Sequence, residues 1–336
     1  MTVSVECLEV DDIQGVGPET AKKLLRAGFS TVQSIAVTSA RELSEKTNLT
    51  HETTLSITEN ARATLGQDVM RAIDLYRHRS EALTLRTGAT AFDELLGGGF
   101  ESQAVTELVG EFAAGKSQIC MKLSAMVQQP ATHGGLGGRA FFLDTEGTFN
   151  PKRVYDIATN IGLNAEETLA NILYARAYNS DHQMFLVDRL PDIIQRENIK
   201  LIIVDSIISH FRSEYLGREH LNERQQKLNQ HVHKILRIAE IFNLPAVVTN
   251  QIQANPQNFG YGDPNRPAGG NVLAHSTTHR VWLRKKSPGR VARIVDSPNL
   301  PPGEAFFQIT AKGIEDIDEK LRTKLSKSES SNNVNE

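Results

Sequence analysis

A lysine, a serine and two glycines lie close together at residues 110–118, where the sequence reads GEFAAGKSQ. Their spacing is G-x-x-x-x-G-K-S/T, a pattern in which backbone N–H groups surround phosphate oxygens at the start of a helix. Gly110 and Gly115 would permit the tight turn, Lys116 would reach the outer phosphates, and the Ser117 hydroxyl would contact Mg²⁺. Because an apolar run precedes the pattern and a helical run follows it, a nucleotide-binding loop is favoured over a structural glycine turn.

We call these nine residues the phosphate loop, and we expect all of them to contact the nucleotide: Gly110, Glu111, Phe112, Ala113, Ala114, Gly115, Lys116, Ser117 and Gln118. Ala113 and Ala114 keep their backbone N–H donors. An alanine at a position that needs a positive φ would nevertheless be strained. We expect nucleotide binding to persist.

Three further apolar runs end in residues that could act on a bound ATP. Asp205 ends LIIVD and is predicted to bind Mg²⁺ with Ser117, helix capping being the alternative. Glu146 follows RAFFLDT and is the candidate to orient or deprotonate the attacking water. Gln251 ends VVTNQ, and its amide can both donate and accept, which suits detection of the γ-phosphate. Hydrolysis also needs a cation near the γ-phosphate, which the RKK cluster at 284–286 could supply within one chain or from a neighbour.

The elements that would position these groups indicate the α/β fold class. Short apolar runs alternate with helical stretches from residue 104 onward, which predicts a mostly parallel central sheet with ligands at the carboxyl ends of its strands. The runs RVWLRKK, RVARIVD and AFFQIT predict antiparallel strands joined by turns. We expect a helical domain at 1–68, a linker at 69–86, an ATPase core at 87–315 and a disordered tail at 316–336.

Composition limits the classes of function. Two cysteines in 336 residues, Cys7 and Cys120, indicate a reducing compartment, and the sequence predicts neither a signal peptide nor a membrane partner. We therefore expect a cytoplasmic protein. The formal net charge of −3 means that any nucleic-acid binding must depend on local clusters.

Two segments that follow sheet strands are candidates for DNA binding. The first DNA segment, residues 209–226, offers Arg212 and Arg218, although each arginine alone could be an ordinary surface residue. The second DNA segment, residues 253–275, is long and rich in Gly, Pro and Asn, and a passive linker is the alternative. Arginines on phosphates would make binding salt-sensitive and tolerant of sequence.

Two other basic regions extend this hypothesis. Between Arg280 and Arg293 six basic residues occur without an acidic one, which favours a surface that faces phosphates. Near the N-terminus the sequence IQGVGPETAKK predicts a glycine turn before a helix at Pro18, the arrangement by which a helix-hairpin-helix binds duplex backbone. Its candidate DNA contacts are Gly15, Gly17 and Lys22.

The order of these blocks, LLGGGFESQAVTELVGEFAAGKSQ, FLDTEGTFNPKR, LIIVDSIISHFRSEYLGRE and YGDPNRPAGGNVLAH, resembles the archaeal RadA recombinases of the RecA superfamily. The resemblance implies a RecA-like P-loop ATPase core after a small all-α domain. It implies a DNA-dependent ATPase that forms filaments on single-stranded DNA, pairs it with homologous duplex and exchanges strands, associated with the nucleoid. A recombinase paralogue that regulates a partner, and a ring-forming hexameric ATPase, are the alternatives.

The resemblance also assigns residues and partners. In the second DNA segment the contacts with DNA would be Arg266, Gly269, Gly270 and Asn271. Arg153 would stack on adenine, Asp296 and Pro298 would cap the nucleotide of the adjacent subunit, and the residues acting across the interface would be His275, Lys285 and Lys286. The partners would be single-stranded and double-stranded DNA and further copies of the chain in filaments or rings. A monovalent cation such as K⁺, recombination mediators and paralogues stay open.

One segment departs from the family pattern. Relatives join neighbours through F-x-x-A in the interdomain linker, whereas this chain has Val69 and Ala72 at those positions. Valine buries less apolar area than phenylalanine, so the exchange would weaken each contact by on the order of 1 kcal/mol. Three explanations stay open: a smaller pocket on the neighbour, substitution by Met70, or filaments that depend more on ATP and DNA.

Overall fold

The computed structural model describes residues 8–66, 69–217, 219–254, 265–268, 273, 276–287 and 289–317. In this part of the chain the helices are α1 (Pro18–Arg26), α2 (Val32–Ala36), α3 (Ala40–Thr47), α4 (His51–Thr64), α5 (Ala72–Ser80), α6 (Thr90–Leu95), α7 (Lys116–Met126), α8 (Pro151–Asn160), α9 (Ala165–Ala170), α10 (Ser180–Asp188), α11 (Leu190–Glu197), α12 (Ser209–Glu214) and α13 (Leu221–Ile241). The strands are β1 (Thr84–Leu85), β2 (Phe100–Glu101), β3 (Val105–Gly110), β4 (Arg139–Asp144), β5 (Ile172–Arg176), β6 (Ile199–Asp205), β7 (Ala246–Ala254), β8 (Asn265–Pro267), β9 (His279–Lys286), β10 (Gly289–Asp296), β11 (Glu304–Thr310) and β12 (Gly313–Asp316).

A large mixed sheet forms the centre of the molecule. Its order is β12-β11-β10-β9-β3-β7-β6-β4-β5, and β8 pairs with β7 beside this path. All pairs from β9 to β5 are parallel, and all pairs from β9 to β12 are antiparallel. The predicted parallel core and the predicted antiparallel continuation are therefore confirmed.

The central strands carry continuous apolar runs because both of their faces are covered. One buried cluster includes Leu108, Phe142 and Ile203 and packs against α7 and α8. A second cluster includes Val204, Val248 and Ile235 and packs against α13 on the other face. This layering brings the carboxyl ends of β3, β4, β6 and β7 to one edge of the sheet.

A helical unit, α1 to α4, has its own buried core of residues such as Leu24, Val32, Ile35 and Leu43. It lies against the sheet unit through polar contacts. Nζ of the buried Lys234 on α13 lies 3.3 Å from Glu42 and 3.5 Å from Asp188. Nε of Arg237 donates to the carbonyl of Val37 at 2.9 Å. Paired charges of this kind fix the relative position of the two units as long as both partners are present.

The predicted linker at 69–86 contains α5 and β1, and the last strand, β12, ends at Asp316. The domain boundaries stay predictions. Within the described residues we find no helix whose length and apolar character would let it cross a membrane.

Candidate nucleotide and nucleic-acid sites

The phosphate loop connects the buried strand β3 to α7, as its pattern predicts. A Cβ at Gly110 would lie 2.4 Å from the carbonyl oxygen of Leu283 on β9, so only glycine fits there. Gly115, the residue before α7, has φ 113°. Ala113 has φ 60°, so the expected strain of an alanine at a positive φ falls on this residue.

The loop borders a cleft of about 770 Å³ at the carboxyl edge of the sheet. Beyond the phosphate loop, the cleft is lined by Glu146, Thr148, Arg153, Asp205, Ser206, Thr249, Gln251, Ile252, Arg290, Ile309, Thr310 and Ala311. The structure thus brings together the residues predicted for phosphate, metal, water and base. It adds Thr148, Thr249 and the segment from β11, which the sequence patterns did not indicate.

Lys116 folds back onto its own loop. Its Nζ donates to the carbonyls of Gly110 and Glu111 at 2.7 and 2.9 Å. Burial lowers its pKa, while the carboxylates of Asp205 and Glu146 act in the opposite direction. Phosphate oxygens could replace the two carbonyls as acceptors, because an ammonium has three donors and binds anions as a compact charge.

Asp205 ends β6 and is almost fully buried. Its Oδ1 accepts from Thr249 Oγ1 at 2.5 Å, and Ser117 is a further hydrogen-bond partner. Burial raises the pKa of this carboxyl, because the charged form loses its hydration. A carboxylate and a hydroxyl on one wall of the cleft are the oxygen donors that Mg²⁺ prefers, so the pair Ser117 and Asp205 fits this ion.

Glu146 and Gln251 face each other across the cleft. The Nε2 amide of Gln251 donates to Oε1 of Glu146 at 2.7 Å. Burial raises the pKa of Glu146, and the nearby Asp205 adds to the effect, whereas Lys116 and Gln251 lower it. A carboxyl with a raised pKa is a better proton acceptor for water than an ordinary glutamate.

A neighbouring carboxylate, Asp144, holds the loop that carries Glu146. Its two oxygens accept from the backbone N–H groups of residues 146–149 at 2.6 to 3.3 Å. Tyr174 OH and Arg176 Nη1, both on β5, donate to it at 3.2 and 3.0 Å. Sequence patterns did not indicate this role of Asp144, because Tyr174 and Arg176 belong to a strand that short periodicity did not reveal.

Arg153, which the resemblance assigns to the adenine base, lines one wall of the cleft. Its guanidinium donates to Gln118, Thr310 and Ala311, at 2.8, 2.5 and 3.2 Å. These contacts fix the guanidinium plane at the wall of the cleft. Arg290 enters from β10, and its Nη2 lies 3.5 Å from the carbonyl of Ala113. This arginine is a cation of the same chain beside the phosphate loop, which the motif analysis did not single out.

The residues predicted to act across a subunit interface lie outside this cleft or outside the described residues. Nζ of Lys286 lies 5.0 Å above the ring of Phe306, and Lys285 is exposed on the same strand. Asp296 and Pro298 are exposed at the end of β10 and in the loop after it. His275 lies outside the described residues.

The prediction that the basic residues between Arg280 and Arg293 form a surface facing phosphates is wrong for Arg280. Arg280 is buried, and its guanidinium Nη2 lies 2.6 Å from Oε2 of Glu107. Arg293 points to Glu304, 3.9 Å away. The alternation of a strand separates these side chains from Arg290, which does reach the cleft.

Among the predicted DNA contacts, Arg212 lies on α12, and its Nη1 is 3.5 Å from Oε1 of Gln251. Arg266 pairs through its backbone with Gln253, and its side chain lies outside the description. The other predicted residues of the two DNA segments, Arg218, Gly269, Gly270 and Asn271, lie outside the described residues.

The predicted hairpin turn is present in the helical unit. Gly15 has φ 88°, Gly17 precedes α1, and the side-chain amide of Asn60 donates to the carbonyl of Gln14 at 2.7 Å. Lys22 is exposed and pairs with Glu19 at 3.0 Å. The turn therefore leaves the start of α1 open to an anion such as a phosphate.

In the predicted polymerisation segment, Val69 is 99% exposed, and Ala72 begins α5 and is exposed. Met70 and Ile73 beside them are also exposed. An apolar row of this kind is a candidate contact with another chain.

Comparison with known proteins gives three findings. A family model described as Rad51 matches residues 78–317. A model described as a SAM-like helix-hairpin-helix tandem matches residues 8–63, which include the turn at Gly15. The chain is 47% identical over 313 residues to the DNA repair and recombination protein RadA of Aeropyrum pernix, an alignment that covers 93% of this chain and 98% of that protein.

Proposed function

The chain belongs to the Rad51 family, as the resemblance predicted, and on that premise we propose that it is a DNA-dependent ATPase of recombinational repair. It forms helical filaments on single-stranded DNA with ATP, pairs that strand with homologous duplex and exchanges the strands. The observation that carries the proposal is the hydrogen bond between Glu146 and Gln251, because it joins the candidate water-activating carboxylate to β7, the strand that leads into the second DNA segment.

The cleft supplies the groups for hydrolysis. Backbone N–H groups of the phosphate loop and Lys116 bind the phosphate chain, and Glu146 accepts the proton of the attacking water. Gln251 orients Glu146 through the 2.7 Å hydrogen bond. Arg153 holds the base end. Mg²⁺, bound by Ser117 and Asp205, would neutralise charge on the β- and γ-phosphates.

The negative charge that develops on the γ-phosphate needs more cations than Lys116 alone. Arg290 provides one from the same chain. The other cations are proposed to be Lys285, Lys286 and His275, which would act from one subunit on the nucleotide of its neighbour. Asp296 and Pro298 of the same subunit would cover that neighbour's nucleotide. The exposure of Lys285 and Asp296 in the single chain supports this assignment.

The nucleic acid would contact both units. Arg212, Arg218 and the second DNA segment would line the filament axis beside the single strand, and Gly15, Gly17 and Lys22 would bind duplex phosphates. The protein would lie in the cytoplasm, at the nucleoid. K⁺, mediators and paralogues stay open as further ligands, and adding or omitting each one in an ATPase assay would show which of them the protein uses.

Electron microscopy of negatively stained protein with ATP, Mg²⁺ and a single-stranded oligonucleotide tests the assembly. Helical filaments are expected, whereas closed rings would favour a hexameric ATPase and discrete complexes a regulatory paralogue. Lys116→Ala is expected to abolish ATP-dependent DNA binding, because the loop loses its only ammonium. Normal filaments from this variant would refute the role of Lys116.

A further inference from the structure

A polar cluster lies behind the cleft and is formed by the buried Glu107, Asn250 and Arg280 and the partly buried Thr277. Glu107 on β3 is fully buried. Its Oε2 accepts from Arg280 Nε at 2.7 Å, and its Oε1 accepts from Asn250 Nδ2 at 2.7 Å. A buried carboxylate is stable only when it is paired and hydrogen-bonded, so these contacts are held with little freedom.

The cluster holds the chain on both sides of the second DNA segment. Asn250 precedes the segment, and its Nδ2 also donates to the carbonyl of Ala268 inside it at 2.7 Å. Thr277 follows the segment, and its Oγ1 lies 3.4 Å from Oε2 of Glu107. Arg280 is the second residue of β9. One carboxylate on the strand that leads into the phosphate loop therefore contacts residues before and after the segment.

Asn250 also fixes the residue that reaches the catalytic carboxylate. Its Oδ1 accepts from the backbone N–H of Gln251 at 2.8 Å. The side chain of Gln251 then donates to Glu146 and lies 3.5 Å from Arg212 of the first DNA segment. A shift of Ala268 would either move the Asn250 amide or leave one of its two N–H donors without an acceptor, which costs about 1–3 kcal/mol.

We propose that Asn250, held by the Glu107–Arg280 ion pair, is the positioning residue that couples occupation of the second DNA segment to the orientation of Gln251 and Glu146. The inference rests on the proposed function and names the device by which DNA stimulates hydrolysis. Asn250 itself does not line the cleft, so it acts through Gln251.

The test compares ATPase kcat with and without an oligothymidine strand for the full chain and for Asn250→Ala. The stimulation ratio is expected to fall about fivefold or more in the variant, which is the lower end of usual coupling between sites. Gln183→Ala is the matched control, since Gln183 is also a fully buried amide but donates to Ile207 and His231, which are not part of the cluster. Gln183→Ala should lower the free energy of unfolding without changing the stimulation ratio.

An Asn250→Ala ratio equal to that of the unchanged protein overturns the inference alone. An unchanged protein that DNA does not stimulate overturns both the inference and the proposed function. If circular dichroism shows that Asn250→Ala does not fold, Thr277→Val and Thr277→Ser decide the question. The stimulation ratio should be lower for valine, which lacks the hydroxyl, and equal ratios in the two variants overturn the inference.

Discussion

Two residues of the phosphate loop differ in their tolerance of a Cβ: Gly110 has no room for one, and Ala113 carries one at an unfavourable φ. A Cβ on Gly110 would overlap the Leu283 carbonyl, whereas Ala113 already has a Cβ at a positive φ. We expect Gly110→Ala to lower the free energy of unfolding by about 2 kcal/mol or more, because the overlap must be relieved by backbone movement. Ala113→Gly should raise it by up to about 1 kcal/mol, because the left-handed conformation costs an L-residue about that much. Urea denaturation of the two variants measures both signs, and changes in the same direction would contradict this account of the loop.

The raised pKa of Glu146 predicts how ATP hydrolysis depends on pH. Burial raises the pKa of its carboxyl, and only the ionised form can accept a proton from water. Hydrolysis by the unchanged protein should therefore decline as the pH falls through this raised pKa. Glu146→Gln should lower kcat by about 100-fold or more while ATP still binds, and it should remove the acidic limb of the profile.

Measurements of kcat and of ATP affinity across pH check this expectation. Glu240→Gln is a suitable control, because burial also raises the pKa of Glu240 but this residue lies outside the cleft. Unaltered turnover in Glu146→Gln would assign the water-activating role to another group.

The site was predictable from sequence where a residue type coincided with the end of an apolar run. Asp205, Glu146 and Gln251 follow this rule, because parallel strands bring their carboxyl ends together. This rule did not predict which residues of the basic run from 280 to 293 reach the cleft. A shift of one position along a strand turns a side chain to the other face, and only the register shows that Arg280 meets Glu107 while Arg290 reaches the cleft.

At the scale of the elements, helix α13 carries a histidine that should control stability in acid. His231 is fully buried beside Gln183, and burial lowers its pKa from 6.5 to about 3. Between these values the unfolded chain binds a proton that the folded chain does not. The contribution of the neutral His231 to the free energy of unfolding is therefore fully present above pH 6.5. It is lost as the pH falls, by at most about 1.4 kcal/mol per pH unit.

His231→Leu should make the unfolding free energy less dependent on pH between 6.5 and 4.5. Urea denaturation at several pH values measures the slope. His233→Leu, on the same helix but partly exposed, should keep the slope of the unchanged protein. Equal slopes in the two variants would mean that other groups dominate the acid response.

The elements themselves were predicted unevenly. The runs of β3, β4 and β6 were readable because both of their faces are buried, which leaves an uninterrupted apolar signal. Strand β5 escaped prediction because it lies at the edge of the sheet, and most of its residues, including Tyr174, are only partly buried or exposed. Strand β12 also escaped prediction, because it is short and carries two acidic residues at its end.

At the scale of the whole molecule, the contacts of Lys234 and Arg237 hold the helical unit against the sheet unit while the segment around Val69 stays at the surface. Assembly can therefore use this segment without first separating the two units. The single chain leaves the Val69 side chain 99% exposed, so its burial would be gained only on contact with another copy.

Val69→Ser removes most of the apolar area that this contact could bury, which should weaken each subunit contact by on the order of 1 kcal/mol. The protein concentration needed for assembly with ATP and Mg²⁺ should then rise about fivefold, as sedimentation velocity or light scattering would record. Leu55→Ser, at an exposed position on α4, is the control and should assemble as the unchanged protein does.

Val69→Phe distinguishes the explanations for the departure from F-x-x-A. Weaker assembly indicates a pocket too small for the ring, and stronger assembly indicates a pocket that valine leaves partly empty. If serine and phenylalanine both leave assembly unchanged, the contact between subunits does not depend on residue 69.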